Sequence, residues 1–352
     1  MRALWTLALN NPLTAPPAFS GTRAYFPIEG DLLAAYDLAL GRQLWVVSAR
    51  IVWEPAVGDG LLFLVESDGL AALHEANGSL AWRLPFAEPL ASPLVWDNGW
   101  LIAAGASGTI LAFRALDGEL IWRRDVGSPV HAPPALAADR VYVPAQDGRI
   151  VALRVDTGEP VWERRLGGAP NEVLALDDRL YVGSNDNFFY CVRTSDGEVD
   201  WRWRTGGDVI GMPVVDEHRV YFASLDNVLR GLDRKSGSQR WKRALPLRPS
   251  AGPLKAADML IVGGVAPTLR AYLMKDGAQA GELPTGGEMA CPPRLLDIPG
   301  LPTPTLVIVT RDIAKGATVT AMTRAIEPAI APLAPLLNPI PVTPAAVPPT
   351  RP

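Results

Sequence analysis

One spacing recurs along this chain: a glycine followed four residues later by a tryptophan. The six pairs, roughly 40 residues apart, are Gly41/Trp45, Gly78/Trp82, Gly118/Trp122, Gly158/Trp162, Gly197/Trp201 and Gly237/Trp241. Ten positions before each tryptophan stands a small residue, namely Ala35, Ala72, Ala112, Ala152, Cys191 and Gly231. A period near 40 with about four short β-runs per unit predicts a β-propeller, because a single blade cannot bury both of its faces.

A seventh unit keeps the turn but loses the tryptophan. Gly277 occupies the turn position and Ala271 the small position, whereas Gly281 stands where the indole belongs. An indole in such a joint buries roughly 200 Å². We therefore expect the joint that involves blade seven to be the weakest of the ring.

An eighth unit is split between the two ends of the chain. Strands are expected over 305–310 and 317–323, with Ala321 in the small position, and a last strand is missing. Residues 2–9, which carry Trp5, resemble the last strands of the other units. We interpret this segment as the missing strand, so that the ring closes and two edges are hidden.

Each unit divides into short strands with alternating apolar residues. In the fourth unit we expect strands over 140–144 and 149–154 and a last strand that contains Trp162. The pattern continues to about residue 324. The sequence therefore predicts an all-β, eight-bladed propeller over residues 1–324.

The remaining segment, 325–352, has a different composition. Nine of its 28 residues are proline, which removes too many backbone donors for a sheet or a helix. It also carries apolar residues. Two interpretations stay open: the tail lies along the side of the propeller, or it is a docking peptide for another protein.

Composition and charge exclude several classes. The chain is 48% hydrophobic and 20% charged with a net charge of −4, and it has no cationic stripe, so nucleic acid is not an expected partner. No apolar run approaches the ~20 residues that cross a bilayer. Cys191 and Cys291 lie three units apart, so we expect neither a disulfide nor a metal site.

The first residues bear on localisation. The apolar run 4–9 is shorter than the core of a signal peptide, and no cleavage motif follows it. We expect a cytoplasmic protein, while a start site further upstream would allow a periplasmic or other extracytoplasmic location.

Units such as 147–162 (DGRIVALRVDTGEPVW) and 186–201 (DNFFYCVRTSDGEVDW) resemble the PQQ-like, or tryptophan-docking, repeat. The resemblance covers residues 1 to about 324 and implies an eight-bladed ring. It also implies that each tryptophan wedges against the neighbouring blade, which would give a structural role to Trp5, Trp45, Trp82, Trp122, Trp162, Trp201 and Trp241.

Two branches of this superfamily suggest different functions. Quinoprotein dehydrogenases hold pyrroloquinoline quinone and calcium, often beside adjacent cysteines, and are much longer than this chain. The other branch comprises small non-enzymatic propellers similar to BamB, although no lipid-accepting cysteine stands near residue 20 here. We expect a non-catalytic protein-binding scaffold without cofactor or catalytic residues. The alternatives are a quinone-dependent dehydrogenase-like enzyme and a small-ligand sensor.

Candidate binding residues come from the linkers between blades, which gather at one end of the channel. The candidates are Arg50, Trp53, Glu54, His131, Glu172 and Arg248. Such mixed charges suit a peptide or a polar ligand, since repeat rings carry function on loops. A solvated rim without a ligand is the alternative. Because Glu54 and Glu172 belong to units three apart, no acid–base pair is inferred.

Overall fold

The computed structural model describes residues 1–86, 88–301, 304–312 and 316–323. All regular structure in this part of the chain is β-strand, arranged as eight antiparallel sheets. Seven sheets have four strands in chain order, and the eighth joins both ends of the described chain. The predicted eight-bladed propeller is confirmed. The predicted tail, 325–352, lies outside the described residues.

The strands of the first four blades follow the repeat. β1 is Arg2–Ala8. Blade 1 contains β2 (Ala18–Ser20), β3 (Arg23–Ile28), β4 (Leu32–Asp37) and β5 (Arg42–Ser48). Blade 2 contains β6 (Ala56–Gly58), β7 (Leu61–Glu66), β8 (Gly69–His74) and β9 (Leu80–Pro85). Blade 3 contains β10 (Val95–Asp97), β11 (Trp100–Ala104), β12 (Thr109–Arg114) and β13 (Leu120–Asp125). Blade 4 contains β14 (Ala135–Ala137), β15 (Arg140–Pro144), β16 (Arg149–Arg154) and β17 (Pro160–Arg165).

The later blades differ mainly in their innermost strands. Blade 5 contains β18 (Pro170–Leu176), β19 (Arg179–Ser184), β20 (Phe188–Arg193) and β21 (Val199–Arg204). Blade 6 contains β22 (Val209–Val215), β23 (Arg219–Ser224), β24 (Val228–Asp233) and β25 (Gln239–Ala244). Blade 7 contains β26 (Leu254–Ala256), β27 (Met259–Val262), β28 (Thr268–Leu273) and β29 (Gln279–Pro284). Blade 8 contains β30 (Glu288–Met289), β31 (Arg294–Leu296), β32 (Thr305–Asp312), β33 (Gly316–Thr323) and β1.

The N-terminal strand closes the ring as the sequence predicts. β1 pairs antiparallel with β33, and Trp5 lies opposite Ala321 in the register. Trp5 is buried in a cluster that also contains Val319 from β33 and Phe26 from blade 1. The first and last described strands therefore form one blade and remove two free edges.

The small residue of each unit lies directly across the sheet from the tryptophan. Ala152 pairs with Trp162, and Cys191 pairs with Trp201. At Gly231 a Cβ atom would stand 2.6 Å from Cε2 of Trp241. The small position therefore exists because the indole occupies the space beside it.

Six tryptophans dock on the next blade in the same way. Each indole N–H donates to a backbone carbonyl of the following blade, for example from Trp122 to Val155 at 2.7 Å and from Trp241 to Met274 at 3.0 Å. The ring lies on the turn glycine, which has a positive φ of 68° at Gly158. A Cβ atom there would stand 2.6 Å from the indole of Trp122, so this turn requires glycine for both conformation and space.

The joint between blades 7 and 8 lacks this arrangement. A Cβ atom at Gly281 would meet nothing within 4 Å. In blade 8 no hairpin turn joins the third strand to the fourth, since the third ends at Thr323 and the fourth begins at Arg2. The tryptophan is therefore absent at the joint where the third and fourth strands of the next blade are not connected by a hairpin.

No helix in the described ranges is long and apolar enough to span a membrane.

Candidate functional site

Two sets of loops meet at one end of the channel. The linkers that enter each blade contact the turns between its second and third strands: His131 Nε2 lies 3.0 Å from Gln146 Oε1, and the Gly206 N–H donates to Asp226 at 3.0 Å. We call this end, formed by the linkers and these turns, the mouth. Loops held on a rigid frame of strands are the usual carriers of binding residues.

The path of the innermost strand differs in blade 5. In blade 4, Val130 and Ala135 pair with Ala145 and Tyr142, so five steps along the inner strand match three steps on its neighbour. In blade 5, Pro170 and Leu174 pair with Ser184 and Tyr181, so four steps match three. The inner strand of blade 5 therefore has one residue fewer than that of blade 4 between these two pairing positions.

A β-bulge occupies this shortened segment of the inner strand of blade 5. It falls between Pro170 and Val173 and contains Asn171 and Glu172 in place of the proline found at the start of other inner strands. The Asn171 amide donates to the Val209 carbonyl of blade 6 at 2.6 Å, which fixes the bulge. Bulges re-aim side chains and often lie beside functional sites.

Two of the predicted candidates, Glu54 and Glu172, interact electrostatically across the channel. Both also interact with Arg294, which the sequence did not indicate. Arg294, the first residue of β31, places Nη2 3.1 Å from Glu54 Oε1. This ion pair joins two blades that are not neighbours, since blade 1 stands between blades 8 and 2 in the ring. Glu172 interacts electrostatically with both side chains.

These carboxyl groups have raised pKa values. Burial raises the pKa of Glu54, and the attraction and hydrogen bond of Arg294 oppose that increase. Burial, followed by repulsion from Glu54, raises the pKa of Glu172. The attraction of Arg294 opposes this increase. The sequence indicated no pairing of these glutamates, because their units are three apart; their interaction depends on the width of the closed channel.

A pocket of about 370 Å³ opens beside Glu172 at the mouth of blades 4 to 7. Its lining includes His131, Asn171, Glu172, Asp208, Ile210 and Leu225. In the part of the chain that the structure describes, the carboxylates of Glu172 and Asp208 accept no hydrogen bond and form no ion pair. The pocket thus combines apolar walls with two free carboxylates.

The other predicted candidates lie apart from this pocket. The Trp53 indole N–H donates to the Leu90 carbonyl at 3.1 Å, which links blade 2 to the linker entering blade 3. Arg50 is exposed and pairs with Asp31 at 3.1 Å. Arg248 is exposed.

Arg294 could have been found from the repeat itself. It follows Pro292 and Pro293 at the start of an inner strand, the place that Ala135 takes after Pro133 and Pro134 in blade 4. Among the equivalent positions Arg294 carries a charge where blades 1, 2 and 4 carry alanine. The eighth unit departs so far from the repeat that Arg294 was not aligned with these positions from the sequence.

Cysteine and metal chemistry have little support in the described residues. Cys191 and Cys291 are free thiols, and burial raises the pKa of each to about 12. No group of three or more His, Cys, Asp or Glu residues within the described ranges is placed to hold a metal ion.

The geometry defines a propeller of tryptophan-docked repeats with a polar mouth. The family model of the outer membrane protein assembly factor BamB matches residues 2–83, 67–176 and 164–303. The chain therefore belongs to the BamB family of PQQ-like repeat propellers. No curated protein matches the sequence.

Solved structures share the fold at low sequence identity. BamB from Moraxella catarrhalis is 20% identical with a TM-score of 0.74, over 92% of this chain and 98% of that chain. The computationally designed Ika8 protein is 14% identical with a TM-score of 0.77, over 92% and 100%. Sqt1 of Saccharomyces cerevisiae is 10% identical with a TM-score of 0.76, over 90% and 98%.

Proposed function

We propose that the chain is a non-catalytic scaffold that binds another protein at its mouth. Membership of a family described as an assembly factor supports a general role in protein interaction. The observation that carries the proposal is the asymmetry of the mouth: the inner strand of blade 5 is one residue shorter than that of blade 4 between equivalent pairing positions, and blade 5 places Glu172 beside a pocket.

The rest of the mouth suits a protein surface better than a deep reaction chamber. The pocket is open to solvent, and the ion pair of Glu54 and Arg294 leaves the arginine about half exposed, with a relative side-chain accessibility of 47%. Partly exposed polar groups around an apolar pocket are typical of the rim and centre of a protein interface.

Site-specific photocrosslinking tests the proposal. Benzoylphenylalanine replaces Ser250, an exposed residue that lines the pocket, or Lys235, an exposed residue in the turn between the third and fourth strands of blade 6. That turn lies at the end of the blade opposite the mouth. In cells that produce the full chain, we expect a discrete crosslinked protein from position 250 and none from position 235. Crosslinking from position 235 alone would contradict the proposal.

The absence of catalysis is part of the same proposal and has its own test. Purified protein is mixed with pyrroloquinoline quinone, calcium and a redox dye, and alcohols or sugars are supplied as substrates. We expect no dye reduction above a control without protein. Turnover that depends on the protein would replace the scaffold proposal with the dehydrogenase alternative.

A further inference from the structure

We propose that the pocket at the mouth of blades 4 to 7 binds a basic side chain, the guanidinium of arginine or the ammonium of lysine, carried by the partner protein. This inference rests on the proposed function, since it names the chemistry of what the mouth would bind. Three properties of the pocket support it.

The first property is unneutralised negative charge. Glu172 and Asp208 face the pocket, and neither carboxylate has a direct partner in the described residues. The basic group nearest to Glu172 in electrostatic terms, Arg294, already forms an ion pair with Glu54 at 3.1 Å. A buried or half-buried carboxylate is stabilised by a charge-assisted hydrogen bond, so a cation from outside would satisfy both groups.

The second property is the apolar part of the lining. Ala132, Pro133, Ile210 and Leu225 supply hydrocarbon surface next to the carboxylates. Arginine and lysine carry an apolar stem below a charged head, and such side chains bury the stem along hydrocarbon while the head finds a polar partner. A bare inorganic cation would leave these walls without a contact.

The third property is rigidity. The bulge that presents Glu172 is held to blade 6 by the hydrogen bond from Asn171 to Val209, and His131 is held by Gln146. The inner strand of blade 6 also packs closely against the linker that enters blade 7, since a Cβ atom at Gly211 would stand 2.0 Å from the Gly252 nitrogen. A preformed site of this kind loses little conformational entropy on binding.

The test uses acetylated, amidated peptides of sequence Gly-Ser-Xaa-Ser-Gly, in which Xaa is arginine or its neutral isostere citrulline. Binding to the full chain is followed through the labelled δ1 methyl group of Ile210, which lines the pocket, with Ile110 in the core of blade 3 as the reference. We expect the arginine peptide to bind about tenfold more tightly than the citrulline peptide, since the difference is one charge-assisted contact.

Variants assign the effect to the pocket. Glu172→Gln keeps the size of the side chain and is expected to reduce arginine-peptide affinity about tenfold, to the level of citrulline. The matched control is Glu88→Gln, which changes a glutamate of the linker entering blade 3 that pairs with Arg123 at 3.6 Å outside this pocket. Its affinity should be that of the unmodified protein.

The results separate this inference from the scaffold proposal. Equal binding of the arginine and citrulline peptides, or full affinity in Glu172→Gln, would overturn the cation pocket even if position 250 still crosslinks a protein. Preference for arginine that depends on Glu172 supports the pocket, and it does so whether or not the crosslinking experiment identifies a partner. Thermal unfolding of each variant confirms that the fold is intact.

Discussion

Blades 6 and 7 are neighbours with the same strand order, yet they are stabilised differently at both ends. Blade 6 docks Trp241 on blade 7, whereas blade 7 presents Gly281 to blade 8. At the mouth, Arg230 of blade 6 pairs with Asp226, and the corresponding turn of blade 7 exposes Val265. The docking tryptophan is thus present in blade 6, where a hairpin turn joins the third and fourth strands of the next blade, and absent in blade 7, where no such hairpin follows.

The two equivalent arginines show the same dependence on their neighbours. Arg230 lies opposite Lys242 in the sheet, and its guanidinium contacts Asp226 at 2.5 Å instead. Arg270 lies opposite Glu282 and pairs with it at 2.8 Å. A cross-strand partner of like charge directs the first arginine to the turn, and a partner of opposite charge holds the second one in place.

Removal of the docked indole should have the largest effect. Trp241→Ala takes away a buried ring and its hydrogen bond to Met274, so we expect a loss of about 3–5 kcal/mol in the free energy of unfolding. Urea denaturation followed by circular dichroism measures the loss. A cost below about 1 kcal/mol, which is typical of a surface substitution, would show that docking does not stabilise this joint.

The glycine beneath the indole gives the next largest effect. Gly277 has a φ of 71°, and a Cβ atom would stand 2.6 Å from Cε3 of Trp241. Gly277→Ala should therefore cost about 2–4 kcal/mol, from left-handed backbone strain of about 1–2 kcal/mol together with overpacking.

Gly286→Ala is the matched control for this prediction. Gly286 has a φ of 76°, and a Cβ atom there meets nothing within 4 Å. Its cost should be that of the backbone strain alone, about 1–2 kcal/mol. Equal losses in the two variants would mean that the indole yields to the added methyl group.

The sequence predicted the blades and their tryptophan joints well, for a physical reason. Glycine turns, small residues and tryptophans are local signals that repeat, and the repeat fixes the blades, the register and the closure by residues 2–9. The channel was predicted less well. The approach of Glu54, Glu172 and Arg294 depends on distances across a closed ring, and Trp53 turned out to bridge two blades because its indole N–H reaches Leu90. No local pattern encodes either distance.

The charged turn of blade 6 should make its stability depend on pH. Burial disfavours ionised Asp226, but hydrogen bonds from Arg230, Ser224 and the Gly206 N–H lower its pKa to about 2. A folded-state pKa below the unfolded value of about 3.9 means that the stabilisation is present above that value and is lost as the pH falls through about 2.

Asp226→Asn measures this contribution. At pH 7 we expect the variant to unfold with about 2 kcal/mol less free energy than the unmodified protein, and the difference should shrink steadily between about pH 4 and pH 2. Blade 7 has no carboxylate at the matching turn, so a Val265→Ala control should show no such change with pH. A difference that is independent of pH would assign the effect to packing and not to ionisation.

The smallest effect is expected at the joint without an indole. Gly281→Trp restores the repeat in blade 7, but in blade 8 the third and fourth strands are not connected by a hairpin with a glycine turn, because β33 and β1 come from opposite ends of the described chain. We expect a change of less than about 1 kcal/mol, compared with the 3–5 kcal/mol for Trp241. Hydrogen exchange gives the local readout: amides of Gln279–Pro284 should exchange faster than those of Gln239–Ala244, both before and after the substitution. If Gly281→Trp brings β29 to the protection of β25, then blade 8 does offer an indole site, and the missing turn is not the reason that blade 7 lacks its tryptophan.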